Sequence, residues 1–170
     1  MLRGVRSTLT LVFLAALLAG AGFWGWGAAM KPLPEAEEEP LCEDVAVEAG
    51  QRVYPDQVAV SVFNASTRSG LAGRTAEEFI GSGFGEGDNG NAPGGTEVAY
   101  AQIWTSDPES PAVRLVKSHL GPRATITEGE QLGVGVVVVV GEGFEALVKG
   151  KKSVKATTDG FVCSPPGTTE

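Results

Sequence analysis

The sequence predicts an α/β (α+β) two-layer sandwich, a mixed sheet of about four to five strands with two helices, behind one N-terminal transmembrane helix. Three observations carry this. The run from Ser7 to Met30 is uncharged; the chain from Gln57 onward alternates strand, helix, strand, helix, strand; and Val136 to Val140 are five consecutive valines. A strand that is apolar at every position needs cover on both faces, so the valine run is expected at the centre of the sheet.

The Ser7–Met30 stretch is long enough, at about 1.5 Å per helical residue, to cross a hydrocarbon core of about 30 Å. Arg3 and Arg6 precede it, which keeps the short N-terminus in the cytoplasm and sends the rest of the chain outward. Trp24 and Trp26 stand near its outer end, where amphipathic rings favour the membrane–water interface. A cleaved secretory signal is the alternative, but its apolar part is shorter and "GAAMKP" is a poor cleavage site. The expected protein is therefore a single-pass cell membrane protein. A stub and anchor occupy 1–30, an acidic, proline-bearing stalk 31–41, an extracytoplasmic domain 42–163 and a disordered tail 164–170.

The 170-residue chain has a formal net charge of −8, and its central segments offer no basic stripe, so no nucleic acid is expected as a partner. Cys42 and Cys163 flank the periodic segments, and neither has a Cys or His neighbour at metal-ligand spacing. In an oxidising compartment they are expected to form a disulfide, with free thiols as the alternative. Such a bridge requires the tail to fold back beside the N-terminal segment. Phe161 and Val162 are then expected to pack against Leu41 or Val45. The basic "KGKK" at 149–152 reads as a solvated turn in preference to a patch for anionic polymer or lipid.

Along the domain, Val58, Val60 and Val62 alternate with Ala59, Ser61 and Phe63 as an inner strand. "NASTRSG" turns the chain, and Leu71, Thr75, Ala76, Phe79 and Ile80 recur at helical spacing. Ser69 or Thr67 can cap that helix, and Gly81 or Gly83 can end it. "GFGEGDNGNAPGG" reads as a long loop holding at most a short strand; as a single copy it lacks the stacked carboxylates of calcium-binding glycine repeats. "TEVAYAQIWT" is a strand by its alternation. Asp107 before Pro108 or, in preference, Ser110 before Pro111 starts a second helix, Gly121 stops it, and Ala112, Leu115, Val116 and Leu120 form its buried stripe. His119 lies beside that stripe and reads as a half-buried helix residue. "RATIT" is a short strand before the valine run.

The strand, glycine turn and helix around "SGLAGRT" have the order of a phosphate-binding loop but lack its chemistry. Arg68 stands where the first glycine is required, and Arg74 where the lysine is. No G-x-G dinucleotide fingerprint, no G-x-S-x-G elbow and no histidine paired with a nucleophile occurs. No cofactor, metal or catalytic residue is therefore expected. A hydrolase or transferase working through carboxylates among Glu77, Glu78, Glu97 and Asp107 is the alternative.

"VAVSVFNASTRSGLAGRTAEEFIGSGF" resembles the opening of the LytR C-terminal domain family (LytR_C). Asn64, Ser66, Gly70, Leu71, Ala72, Gly83 and Phe84 match its pattern, with Ala65 where glycine is usual. "GVGVVVVVGEGF" resembles the family's closing strand, through Val140, Gly141 and Phe144. The resemblance spans Val58 to Phe144. It implies a non-enzymatic accessory module that supports cell-envelope integrity, with LytR-CpsA-Psr phosphotransferases or peptidoglycan and glycopolymer as partners. It also marks Asn64, Ser66, Ser69 and Gly70 as the candidate family turn. "NAST" fits a glycosylation sequon as well, but the turn accounts for Asn64 better, since an Asn side chain can bond the backbone two residues on.

Overall fold

The computed structural model describes residues 2–29 and 42–166, with side chains over 12–26 and 42–166; Leu41 and the expected stalk at 31–41 lie outside the described residues. The chain divides into two compact units, Met1–Glu38 and Glu39–Glu170. The first is α1 (Leu2–Ala29), 28 residues in one helix. Among the described residues no helix is long and apolar enough to cross a membrane. The apolar run expected to do so extends beyond 12–26 at both ends.

The second unit is α+β. Its main sheet comprises β3 (Ala59–Asn64), β4 (Gly85–Asn91), β5 (Ala101–Trp104), β6 (Thr125–Thr127) and β7 (Val136–Val140), in the order β4-β3-β7-β5-β6. β3 runs parallel to both β4 and β7, β5 parallel to β6, and β5 antiparallel to β7, so the sheet is mixed. The valine strand is central, and all five of its residues are buried. Val136, Val138 and Val140 share a core with Val60, Val62, Ile103, Leu71 and Phe79 of α2 (Leu71–Gly81), and Leu115, Val116 and Leu120 of α3 (Pro111–Leu120). Val137 and Val139 meet Phe63 and Val98 on the opposite face, covered by Ala65, Ala92, Trp104 and Leu132. Both helices thus lie on one face, and strand and loop residues close the other.

β4 departs from the expected loop. Its seven residues "GEGDNGN" have poor strand propensity, yet they pair in parallel with β3 from Ala59 to Asn64. The partner decides: β3 is buried throughout, and its outer edge needs backbone partners away from water. The buried Ser61 completes the join, since its hydroxyl donates to the Val134 carbonyl at 2.6 Å and accepts from the Asp88 amide at 2.9 Å.

The helices follow the predicted bounds with three corrections. α2 is entered through Gly70 at φ 71°, with no side-chain cap from Ser69 or Thr67; a left-handed backbone at that position favours glycine over any capping residue. Ile80 is 43% exposed, because Leu71, Ala72, Thr75 and Phe79 fall within about 100° of the helix circumference and Ile80 lies further round. His119 is only 8% exposed, since its angle on α3 falls inside the stripe of Ala112, Leu115 and Val116. Its ring meets Phe84 edge to face at 4.9 Å, and its Nδ1 lies 3.2 Å from the Leu115 carbonyl oxygen.

Two antiparallel ribbons join the ends of the domain: β1 (Glu43–Val47) with β9 (Gly160–Ser164), and β2 (Arg52–Val53) with β8 (Val154–Lys155). A disulfide links Cys42 to Cys163, with their α-carbons 5.3 Å apart. Val162 pairs with Val45 and is buried, while Phe161 is 69% exposed. Successive strand residues point to opposite faces, so the two could not both turn inward. Ser164, expected in the tail, is a buried residue of β9.

Reducing the Cys42–Cys163 bridge, which spans 121 residues, is expected to remove about 4–5 kcal/mol of stability and to lower the melting temperature of a single chain without dissociating an oligomer. In denaturant titrations Leu71→Ala should cost about 2–5 kcal/mol and Ile80→Ala about 0.5 kcal/mol or less.

Candidate functional site: the family turn and a groove beside the disulfide

β3 delivers Asn64 to the start of the "NASTRSG" turn, where the chain must reverse direction into α2. The Asn64 Oδ1 accepts from the Ser66 amide at 2.9 Å and from the Ser66 hydroxyl at 2.7 Å, while its Nδ2 donates to the Arg68 carbonyl at 2.8 Å. The Ser66 hydroxyl in turn accepts from the Arg68 amide at 3.1 Å. Across the turn, Glu142 Oε2 accepts from the Thr67 amide at 3.0 Å and the Thr67 hydroxyl at 3.2 Å. Arg68 donates to the carbonyls of Glu142 and Phe144.

These bonds occupy the side chains of Asn64 and Ser66 and the Nη1 of Arg68 within the fold. They tie the exit of β3 to the turn after β7, so that the opening and closing motifs of the domain meet. Ser69 and Gly70 are exposed beside them. Among the candidate carboxylates, Glu78 Oε2 accepts from the Leu147 amide at 2.8 Å and Asp107 Oδ1 from the Glu109 amide at 3.2 Å; Glu77 and Glu97 are exposed. No group of three or more His, Cys, Asp and Glu among the described residues could hold a metal ion.

A groove of about 390 Å³ opens beside the disulfide, between the end of β5, the start of α3 and the β9 ribbon. Trp104 and Phe161 supply aromatic surface, Asp44 and Asp107 carboxylates, Gln131 an amide, and Thr105, Ser106 and Ser110 hydroxyls. Trp104 is held in place: its Nε1 donates to Gln102 Oε1 at 3.0 Å, and a Cβ on Gly129 would stand 2.6 Å from the ring, so the glycine backbone lies directly against the indole. Sequence reasoning identified Asp107 as a carboxylate and Trp104 as a strand residue, but not their meeting. Phe161, expected to pack inward, is left on the surface by its strand register, so nothing in the sequence marked the groove.

The model of the LytR_C family, described as LytR cell envelope-related transcriptional attenuator, matches residues 57–144. No curated protein matches the chain. Among solved structures, the soluble domain of a conserved hypothetical secreted protein from Mycobacterium marinum is similar at 22% identity, with a TM-score of 0.47, over 66% of this chain and 80% of that one.

Asn64→Ala removes both arms of the turn and is expected to cost about 1–3 kcal/mol in denaturant titrations, whereas Asn64→Asp keeps the Oδ1 acceptor and should cost less.

Proposed function

The chain belongs to the LytR_C family, and from that premise we propose that it is a membrane-anchored, non-enzymatic extracytoplasmic protein that supports cell-envelope integrity by binding an envelope glycan. The observation that carries the reading is the groove beside the disulfide. A fixed indole and an exposed phenyl ring offer flat apolar faces for the C–H surface of a sugar. The surrounding carboxylates, amide and hydroxyls match the hydroxyls on its rim. Asp44 and Asp107 disfavour a ligand with negative charge at that position, so the sugar bound there is uncharged.

Anchoring is supported by α1. Val12, Phe13, Leu14, Leu17, Leu18 and Phe23 are all at least half exposed to solvent, an apolar surface that a lipid environment would cover. The disulfide supports an oxidising, extracytoplasmic setting. A binding role is favoured over carboxylate catalysis because Glu78 and Asp107 each hold a nearby backbone amide, a structural use. A glycan is favoured over a LytR-CpsA-Psr phosphotransferase as the first partner because the groove is small and its polar groups converge.

The test is calorimetric titration of the full-length protein in nonionic detergent with uncharged, soluble fragments of envelope glycan. Binding should fall at least tenfold in Trp104→Ala and Phe161→Ala, with the melting temperature of Phe161→Ala unchanged. Absence of binding, or equal binding by both variants, sinks the reading. Cleavage of the fragments, abolished by Asp44→Asn or Asp107→Asn, would replace it with a carboxylate hydrolase.

A further inference from the structure

In a chain of net charge −8, positive charge is gathered on one ridge. Arg114 and Lys117 on α3 stand beside the 149–155 segment, where Arg114 donates to the Lys155 carbonyl at 3.3 Å and Lys151 shares a groove with both. Lys149, Lys151 and Lys152 line a second concavity of about 310 Å³ whose other walls include His119 and Ser82. Neither concavity contains a carboxylate, and no Lys or Arg on the ridge makes an ion pair among the described residues. Like charges left unneutralised this close together repel one another, which costs stability unless an anion joins them.

The lysines are also held, rather than carried on a loose turn. The Val148 amide donates to the His119 carbonyl at 2.7 Å, and the Lys151 amide to the Ser118 hydroxyl at 2.9 Å. Gly150 lies against the imidazole so closely that a Cβ there would come within 2.3 Å of Nδ1. The buried histidine is therefore the floor of the "KGKK" turn, and the glycine in its middle is what lets the turn seat.

We infer that this ridge is a binding site for a linear polyanion carrying phosphate or carboxylate groups, separate from the groove beside the disulfide. The ridge ends at the C-terminus of α3, while the groove and Cys42 adjoin its N-terminus, about 15 Å away along the ten-residue helix. The two concavities share Val148 and Lys151, so the positive charge runs on from one into the other. That continuity favours an extended polyanion over a single small anion. The inference does not depend on the groove or on the sugar it binds.

The probe is fluorescently labelled linear polyphosphate, titrated against the full-length chain reconstituted in phosphatidylcholine nanodiscs. Binding is expected at low salt and should weaken roughly tenfold or more between 50 and 200 mM salt, as several displaced counterions require. The variant K149Q/K151Q/K152Q, altered only at exposed positions, should lose at least tenfold in affinity with a melting temperature equal to or above that of the unaltered chain, since it also removes the repulsion. Gly150→Ala keeps every charge but displaces the turn, and should also lose affinity. Trp104→Ala should bind polyphosphate like the unaltered chain. The inference is overturned if the unaltered chain does not bind, if either the triple variant or Gly150→Ala binds equally well, or if binding appears only when phosphatidylglycerol is placed in the disc, which would assign the ridge to the lipid surface.

Discussion

Everything in the domain is arranged around a strand that cannot face water on either side. Val136 to Val140 have almost no accessible surface, and each pair of faces had to be covered by different means. The even-numbered valines receive α2 and α3, whose Leu71, Phe79, Leu115 and Leu120 fill one layer. The odd-numbered valines receive no helix. Phe63 and Trp104 from β3 and β5, with Val98 and Leu132 from loops, close that side. Fully burying each valine is worth about 1.5–3 kcal/mol, which makes the two covers of the strand obligatory.

This second cover also fixes an aromatic side chain beside the groove. Trp104 must contribute to the second face and at the same time rest on Gly129, so its indole is fixed at the rim of the sheet with one edge tethered by Gln102. A ring fixed by packing loses little entropy when a ligand arrives. The β1–β9 ribbon then brings Asp44 and Phe161 across from it, and the Cys42–Cys163 bridge keeps the ribbon in register. The groove is thus a by-product of how the termini close the fold. The Asn64 turn has the opposite fate, since its polar groups are consumed in joining β3 to the chain after β7.

The same helix that covers the even valines separates two electrostatic environments. Carboxylates adjoin the N-terminus of α3 and lysines its C-terminus, where positive charge also complements the helix dipole. Keeping the two apart lets an acidic protein present a cationic surface without neutralising it internally. His119 is the hinge of this arrangement, packed edge-on to Phe84 on its core side and against Gly150 on the other.

Much of this was legible from residue order alone. An apolar period of two or of 3.6 is a local property, so β3, β5, β7 and both helices of the domain follow from spacing, and the strict alternation of β3 assigns its residues to the correct faces. Compartment chemistry pointed to the disulfide, and the motif around Asn64 to the family. Other features depend on what lies across space. "GEGDNGN" has no strand signal of its own and becomes β4 because β3 leaves an edge to pair. Phe161 is turned outward because its neighbour Val162 takes the inner position opposite Val45. The depth of His119, the seat it makes for Gly150 and the meeting of Trp104 with Asp44 join residues far apart in the chain. By itself the sequence determined the periodic elements and their order, because each is set by neighbours in the chain; the tertiary structure alone decided which polar groups are spent on the fold and which stay exposed, because that depends on partners brought together only by folding.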